Sequence, residues 1–336
     1  MPSHTPEPFR YEGGSVDPGE TEHFRFEVSE AYVSDPIRVP ITVINGEEGG
    51  STAFLTVAVH GNELNGIDVL RRVVDDLDHD DLAGTLVCVH VVNVPGSNVQ
   101  ERAVPAEDDL NRSFPGSEDG TTSERIARQV YANFIEPCDF GIDFHTSTGG
   151  RTNVIHARGD LDDPEASRLA HAFGTNLIVD GAGPPNSLRR AATEAGTPTI
   201  VVEMGEANRF QDEVIEDGVR GVQNVLAEFE LRPADAVEWP GWRSIVDPDK
   251  REWLRADAGG IVDMDVSNAD PVREGEFLCT IRNPFDRELT DVEAPFAGIL
   301  FSRLENPVVY PGSPLCHIAA VDDSTLRIVE TTRGAR

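Results

Sequence analysis

Apolar residues in this chain fall into short continuous runs, separated by longer stretches with a helical repeat. Arg38–Asn45 is dominated by β-branched residues and predicts a strand, and Phe54–Val59 predicts a second. Leu64–Leu77 then places Leu64, Ile67, Leu70, Val73, Val74 and Leu77 on one face, which predicts a helix. Leu86–Val94 reads as a strand, 95–122 as a long polar loop, and Ser123–Phe134 as a helix. The alternation continues with strand Phe140–Phe144, helix Pro164–Phe173, strands Asn176–Val179 and Thr199–Val202, and helix Asp212–Phe229. Strands that alternate with helices and are apolar on both faces predict an α/β domain: a mainly parallel, mixed sheet flanked by helices. Residues 1–35, polar and rich in Pro, Gly and Glu, precede it as an N-terminal extension, so the catalytic-size unit spans 36–230.

Beyond residue 231 the helical periodicity gives way to short β-like runs between Gly, Pro and Asp turns. An internal repeat lies here: Gly275 and Gly312, Cys279 and Cys316, and Ile281 and Ile318 are each 37 residues apart. Two related hairpins predict a smaller all-β domain over 231–336. It resembles the barrel-sandwich fold of lipoyl and biotinyl carriers. Those carriers modify a lysine, and the only lysine, Lys250, precedes the repeat. A carrier role is therefore not expected, and a structural or site-capping role is.

Charge adds a second layer. Sixty Asp and Glu oppose 28 Lys and Arg, giving a formal net charge of −32. The acids are scattered along the chain, the pattern of proteins that work in concentrated salt, where self-repulsion is screened. Nucleic-acid binding needs a basic footprint and is not expected. No apolar run reaches the roughly 18 residues of a membrane span, and no charged leader precedes an apolar stretch, so a cytoplasmic protein is expected. Cys88, Cys138, Cys279 and Cys316 form no C-x-x-C pair and read as buried thiols.

The chemistry-bearing residues cluster at predicted strand exits, where α/β sheets bind ligands. His60 follows Phe54–Val59, Asn93 ends Leu86–Val94, His145 follows Phe140–Phe144, and Glu203 follows Thr199–Val202. His60 and Glu63 are three residues apart, close to one helical turn, so both can face one point. With His145 they make a His/Glu/His set, which holds a catalytic zinc and leaves a position open. Asp143, two residues before His145 on the same strand face, can orient that imidazole. Glu203 is the candidate general base, with Glu206 behind it. Arg102 and the pair Asn111-Arg112 in the long loop suit a carboxylate or an oxyanion. His4, His23 and His79 read as solvated and His90 as a strand residue, while His171 sits on a helix and His317 in the β tail. His156 is a secondary candidate for the pocket wall.

Together, His60-Gly-Asn-Glu63, Asp109-Leu-Asn-Arg112-Ser-Phe-Pro-Gly, Asp143-Phe-His145-Thr and Val-Val-Glu203-Met-Gly resemble the succinylglutamate desuccinylase/aspartoacylase family, a branch of the zinc carboxypeptidase superfamily. The resemblance covers roughly residues 35–320. It implies one zinc ion per chain on His60, Glu63 and His145, and Glu203 as base and proton shuttle. It further implies Asn111 and Arg112 on a substrate carboxylate, and Arg102 polarising the scissile carbonyl. The expected activity is hydrolysis of the amide bond of a small N-acyl amino acid. The alternatives are a carboxypeptidase on short peptides and a non-catalytic zinc-binding relative. Serine hydrolase chemistry has no G-x-S-x-G elbow to use. A small homo-oligomer is the default expectation. The charge predicts that the urea midpoint rises steeply as KCl goes from millimolar to molar. A midpoint indifferent to salt would remove the high-salt reading.

Overall fold

The computed structural model describes residues 5–31, 33–233, 243–285 and 289–333. A large mixed sheet runs through the molecule. Its spatial order is Glu20–Glu30, Pro36–Asn45, Ala83–Val89, Glu48–Val57, Phe140–Ser147, Thr199–Glu206 and Arg151–Gly159, continuing into Gly298–Leu304, Pro314–Ala320 and Arg251–Arg255. The centre is parallel: Phe140–Ser147 pairs in parallel with Glu48–Val57 on one side and Thr199–Glu206 on the other. The outer pairings are mostly antiparallel, including Arg151–Gly159 on Thr199–Glu206. The expected α/β architecture is present, with a sheet more mixed than the apolar runs suggested.

Helices cover both faces of the sheet. Asn65–Asp75, Pro164–Phe173 and Asp212–Glu228 pack Val69, Leu70, Phe173, Val222 and Val225 against Leu55, Ile142, Phe144 and Val202. Thr122–Val130 packs Ile126, Ala127 and Val130 on the other face, with Phe54, Val87 and Val89. Local sequence sets the helix starts. Thr121 and Glu124 form a capping box, and Asp163 caps the helix opened by Pro164. The sheet centre is tight: a Cβ on Gly141 would fall into the ring of Phe54, which is fully buried.

Several elements differ from the sequence-based expectation. The N-terminal extension contains strands Phe9–Tyr11, Gly14–Val16 and Glu20–Glu30, and the last is an edge strand of the main sheet. Its half-exposed position explains its polar composition. The loop 95–122 holds a short helix, Val94–Val99, and a 3₁₀ turn, Leu110–Arg112. Strand Arg151–Gly159 and helix Leu188–Glu194 have no apolar run to announce them. Strands Phe140–Ser147 and Thr199–Glu206 run past their apolar segments, so His145 and Glu203 lie inside strands and not beyond them.

The C-terminal region is mostly β, but Asp323–Arg333 is a helix, which an all-β reading omitted. The repeat corresponds to two antiparallel hairpins, in which Val262 lies opposite Ile281 and Leu300 opposite Ile318. Leu278, Cys279, Ile281, Leu315, Cys316 and Ile318 bury into one shared core. One hairpin belongs to a four-stranded sheet, and the other joins the main sheet through Arg151–Gly159. All four cysteines are free and buried. No described helix is long and apolar enough to cross a membrane. Gly141→Ala should cost about 1–3 kcal/mol by overpacking, read as a lower urea midpoint at fixed salt. An unchanged midpoint would show that Phe54 can move aside.

Candidate metal centre and active site

Strand Glu48–Val57 ends at Val57, and Ala58 takes a left-handed conformation with φ of 53°. That bend turns His60 and Glu63 back over the sheet end before helix Asn65–Asp75 begins. Glu63 therefore lies in a turn ahead of the helix, its N–H donating to the His60 carbonyl at 3.1 Å. His145 comes from the neighbouring parallel strand. His60, Glu63 and His145 are all buried, and their ligand atoms lie within 4.8 Å of one another.

The ring orientations are informative. His60 Nδ1 lies 2.9 Å from Glu63 Oε1 and 3.0 Å from His145 Nδ1. His145 Nδ1 is also 3.0 Å from Glu63 Oε2. Each imidazole uses its other nitrogen on a carboxylate: His60 Nε2 donates to Asp109 at 2.9 Å, and His145 Nε2 to Asp143 at 2.8 Å. A proton fixed on Nε2 leaves the Nδ1 lone pair free. Two such lone pairs and a carboxylate oxygen then converge on one point, which a proton on one ring or a metal ion can fill. Two imidazole nitrogens and one carboxylate are the donor set of a catalytic zinc with an open position.

The surroundings keep these groups in place. Thr56 Oγ1 donates to Asp143 at 2.8 Å, and the Thr146 N–H donates to Glu63 Oε2 at 2.9 Å. Arg102 bridges Glu63 at 3.0 Å and Asp109 at 3.1 Å. Burial alone would raise the Glu63 pKa, but the two histidines outweigh it and hold the carboxyl well below its usual range. At Asp109 burial is likewise outweighed, by His60 and then Arg102, and the pKa is lowered. Burial would depress His145, yet Asp143 and Glu63 hold its pKa well above the ordinary imidazole value. A proton and a metal ion therefore compete for His145 Nδ1.

The other expected residues surround one cavity of about 330 Å³. Glu203 sits in register with His145 on one neighbouring strand and His156 on the other. Its carboxylate accepts from Asn153 at 3.0 Å and Arg158 at 3.2 Å. Arg112 lines the cavity and donates to the Asn111 carbonyl at 2.6 Å. Asn111 lines it too, while its side-chain oxygen accepts from the Leu188 N–H at 2.9 Å. His156 is in the wall, as is His317, which stacks on Trp253 at 4.4 Å. Two expectations fail. Glu206 lies outside the cavity lining and pairs with Arg209. Asn93 is a fully buried helix cap, accepting from the Gly96 N–H and donating to the Val59 and Arg102 carbonyls. It positions the Arg102 loop and does not meet a ligand.

Sequence reasoning missed Asp109 as the His60 partner, although it stands in the quoted motif. It also missed Arg151, Arg158, Arg189, Trp253 and Arg255 in the cavity wall. Their signal in the sequence was weak: basic residues scattered across a very acidic chain.

A family model for the succinylglutamate desuccinylase/aspartoacylase catalytic domain matches residues 49–229. The chain belongs to that family. Among curated relatives, an N-alpha-acetyl-L-2,4-diaminobutyric acid deacetylase of Halomonas elongata is 28% identical over 301 residues, 86% of this chain and 87% of that protein. A probable aspartoacylase of Parasynechococcus marenigrum is 29% identical over 133 residues, 37% of this chain and 43% of that one. Two solved structures share the fold. The product-bound ectoine utilization protein EutE (DoeB) of Ruegeria pomeroyi has a TM-score of 0.81 at 22% identity, covering 96% of this chain and 100% of that one. A succinylglutamate desuccinylase of Silicibacter sp. TM1040 has a TM-score of 0.81 at 24% identity, with the same coverage.

Removing an outer carboxylate should loosen the metal and leave the fold intact. Asp109→Asn should weaken metal affinity about 10–100-fold, measured by competition with a chromophoric chelator. Wild-type affinity should fall with decreasing pH from above the ordinary imidazole pKa, because the protonated His145 is the stabilised form. An affinity flat in pH and unmoved by Asp109→Asn would separate the carboxylates from metal binding.

Proposed function

We propose that this member of the family is a zinc-dependent hydrolase of the amide bond in N-acyl amino acids. The observation that carries the reading is the facing pair of Nδ1 atoms on His60 and His145 beside Glu63, in the same cavity as Glu203. Zinc held there supplies a Lewis acid and makes water acidic enough to attack near neutral pH.

The chain's own residues then divide the work. Glu203 accepts the proton of the attacking water through a carboxylate oxygen and returns it to the leaving nitrogen. Asn153 and Arg158 hold that carboxylate in place in the meantime. Arg102, whose guanidinium spans Glu63 and Asp109, uses a remaining N–H to donate to the carbonyl oxygen as negative charge develops on it. Asn111 and Arg112 bind the substrate carboxylate, a planar acceptor suited to the guanidinium fork. Trp253, Phe301, Pro314 and His317 of the C-terminal region close the far wall, which favours a small substrate over an extended peptide.

A second reading of the substrate rests on the Halomonas elongata relative, which matches over nearly the whole chain. By that likeness the substrate is an acetylated diamino acid with a free side-chain amine. The first experiment is Glu203→Gln in metal-loaded protein at molar salt. Metal content should stay at one per chain while turnover of N-acyl amino acids falls about 10²–10⁴-fold. Turnover equal to wild type would take Glu203 out of the reaction.

A further inference from the structure

Strand Arg151–Gly159 is irregular where it meets the proposed base. His156 lies opposite Glu203 and Asn153 opposite Gly205, so Val154 and Ile155 together face Met204 alone. This is a β-bulge, with one extra residue on strand Arg151–Gly159. Residues three apart on a regular strand point to opposite faces. Across the bulge they share one, and Arg151, Asn153, His156 and Arg158 all line the cavity. Two of the four hold Glu203: Asn153 at 3.0 Å and Arg158 at 3.2 Å. One stands before the bulge and the other after it. The grip on the carboxylate therefore depends on the bulge keeping its form.

The other two residues are held from elsewhere. His156 is 1% exposed, and its Nδ1 donates to the Val154 carbonyl, inside the bulge, at 2.8 Å. Burial first, then Arg158, pushes the His156 pKa down to about 4, so the ring is neutral and its one N–H is the proton on Nδ1. Its Nε2 is buried and has no partner among the described residues. An unpaired buried acceptor is costly, so what the residue contributes lies in the Nδ1 bond and in the ring. The ring meets Phe301 edge-to-face at 5.3 Å, Phe301 meets His317 at 4.2 Å, and His317 stacks on Trp253 at 4.4 Å. Trp253 in turn carries the Arg151 guanidinium at 5.1 Å. The C-terminal region thus grips the strand at Arg151 and His156, alternating along it with the two residues that hold Glu203. Backbone pairing reinforces the grip, with Ser302 opposite Asn153.

We infer that His156 is a positioning residue for Glu203: it ties the bulge that sets Asn153 and Arg158 against that carboxylate, and the Phe301–His317–Trp253 stack of the C-terminal region clamps it there. The C-terminal region then acts on turnover and is more than a wall of the pocket. The inference rests on the amide-hydrolase reading, in which Glu203 moves the proton.

The test uses the zinc-loaded full chain at molar salt, with the fastest of N-acetylaspartate, N-succinylglutamate and Nα-acetyl-2,4-diaminobutyrate as substrate. His156→Phe keeps an aromatic ring against Phe301 and loses the N–H. Its kcat should fall about 10–100-fold, the size expected when a reacting group is slightly misplaced, with KM and metal content within about twofold of wild type. His156→Asn, whose amide puts a donor near the Nδ1 position, should recover most of that loss. Phe301→Leu should lower kcat about 3–10-fold by loosening the clamp, and it keeps the test open if His156→Phe fails to fold. Added to Asn153→Ala, His156→Phe should cost little more, because both act on the same hold. An unchanged kcat, a loss confined to KM, no recovery in His156→Asn, or a loss that adds in full to that of Asn153→Ala would each overturn the inference while leaving amide hydrolysis standing. If the wild type cleaves no amide, the amide-hydrolase reading fails, and hydrogen exchange still decides the positioning. Backbone amides of 151–158 should exchange about tenfold faster in His156→Phe, and those of helix Asp212–Glu228 at the wild-type rate. No acceleration in 151–158, or an equal one in the helix, would overturn it.

Discussion

The site depends on a conflict between two lone pairs. His60 and His145 present their Nδ1 atoms to each other at 3.0 Å, and both outer nitrogens are engaged by carboxylates. Without a metal ion a proton fills this gap, since Asp143 and Glu63 hold the His145 pKa well above the ordinary imidazole value. With a metal ion, every donor is satisfied at once. Much of the nearby structure serves to hold that geometry. Thr56 steadies Asp143, Arg102 steadies both Glu63 and Asp109, and Asn93 steadies the loop that carries Arg102. These contacts come from different parts of the chain, so the centre can assemble only once the sheet has formed.

The sheet makes the convergence inexpensive in structural terms. Three adjacent parallel strands place Val57, His145 and Glu203 at one end, and the left-handed bend at Ala58 returns His60 and Glu63 over it. Side chains alternate along a strand, so Asp143 and His145 share a face with one intervening residue. A candidate metal cluster and the Glu203 carboxylate beside it can therefore be built from short strand ends without a long loop. The antiparallel strand Arg151–Gly159 then closes the far side of Glu203 and supplies Asn153 and Arg158 to it.

How much of this was legible in the sequence follows from the same geometry. Buried parallel strands must be apolar on both faces, so Phe54–Val57, Leu86–Val89, Phe140–Phe144 and Thr199–Val202 were visible as runs. The helices between them were visible because each buries one stripe. The motif residues His60, Glu63, His145, Asn111, Arg112, Arg102 and Glu203 all line the cavity. What stayed hidden was polar for a structural reason. Strand Arg151–Gly159 lacks an apolar run because Arg151, Asn153, His156 and Arg158 face the cavity. Residues 145–147 and 203–206 continue their strands through backbone pairing, which side-chain polarity does not report. Asn93 was misleading in the opposite sense: a polar residue near a strand end whose amide is spent entirely on backbone groups. A buried cap and a ligand-binding asparagine look alike until their partners are known.

The cavity draws its lining from two parts of the chain. The metal donors, Arg102 and Glu203 belong to the α/β region matched by the family model, whereas Trp253, Arg255, Phe301, Pro314 and His317 belong to the β region beyond it. A wall supplied by a separate region can change its charge without disturbing the geometry of His60, Glu63 and His145. The acidic surface also has a consequence for the site. A chain with 60 acids surrounds its cavity with repulsion toward any anion approaching through water, and that repulsion is screened in salt.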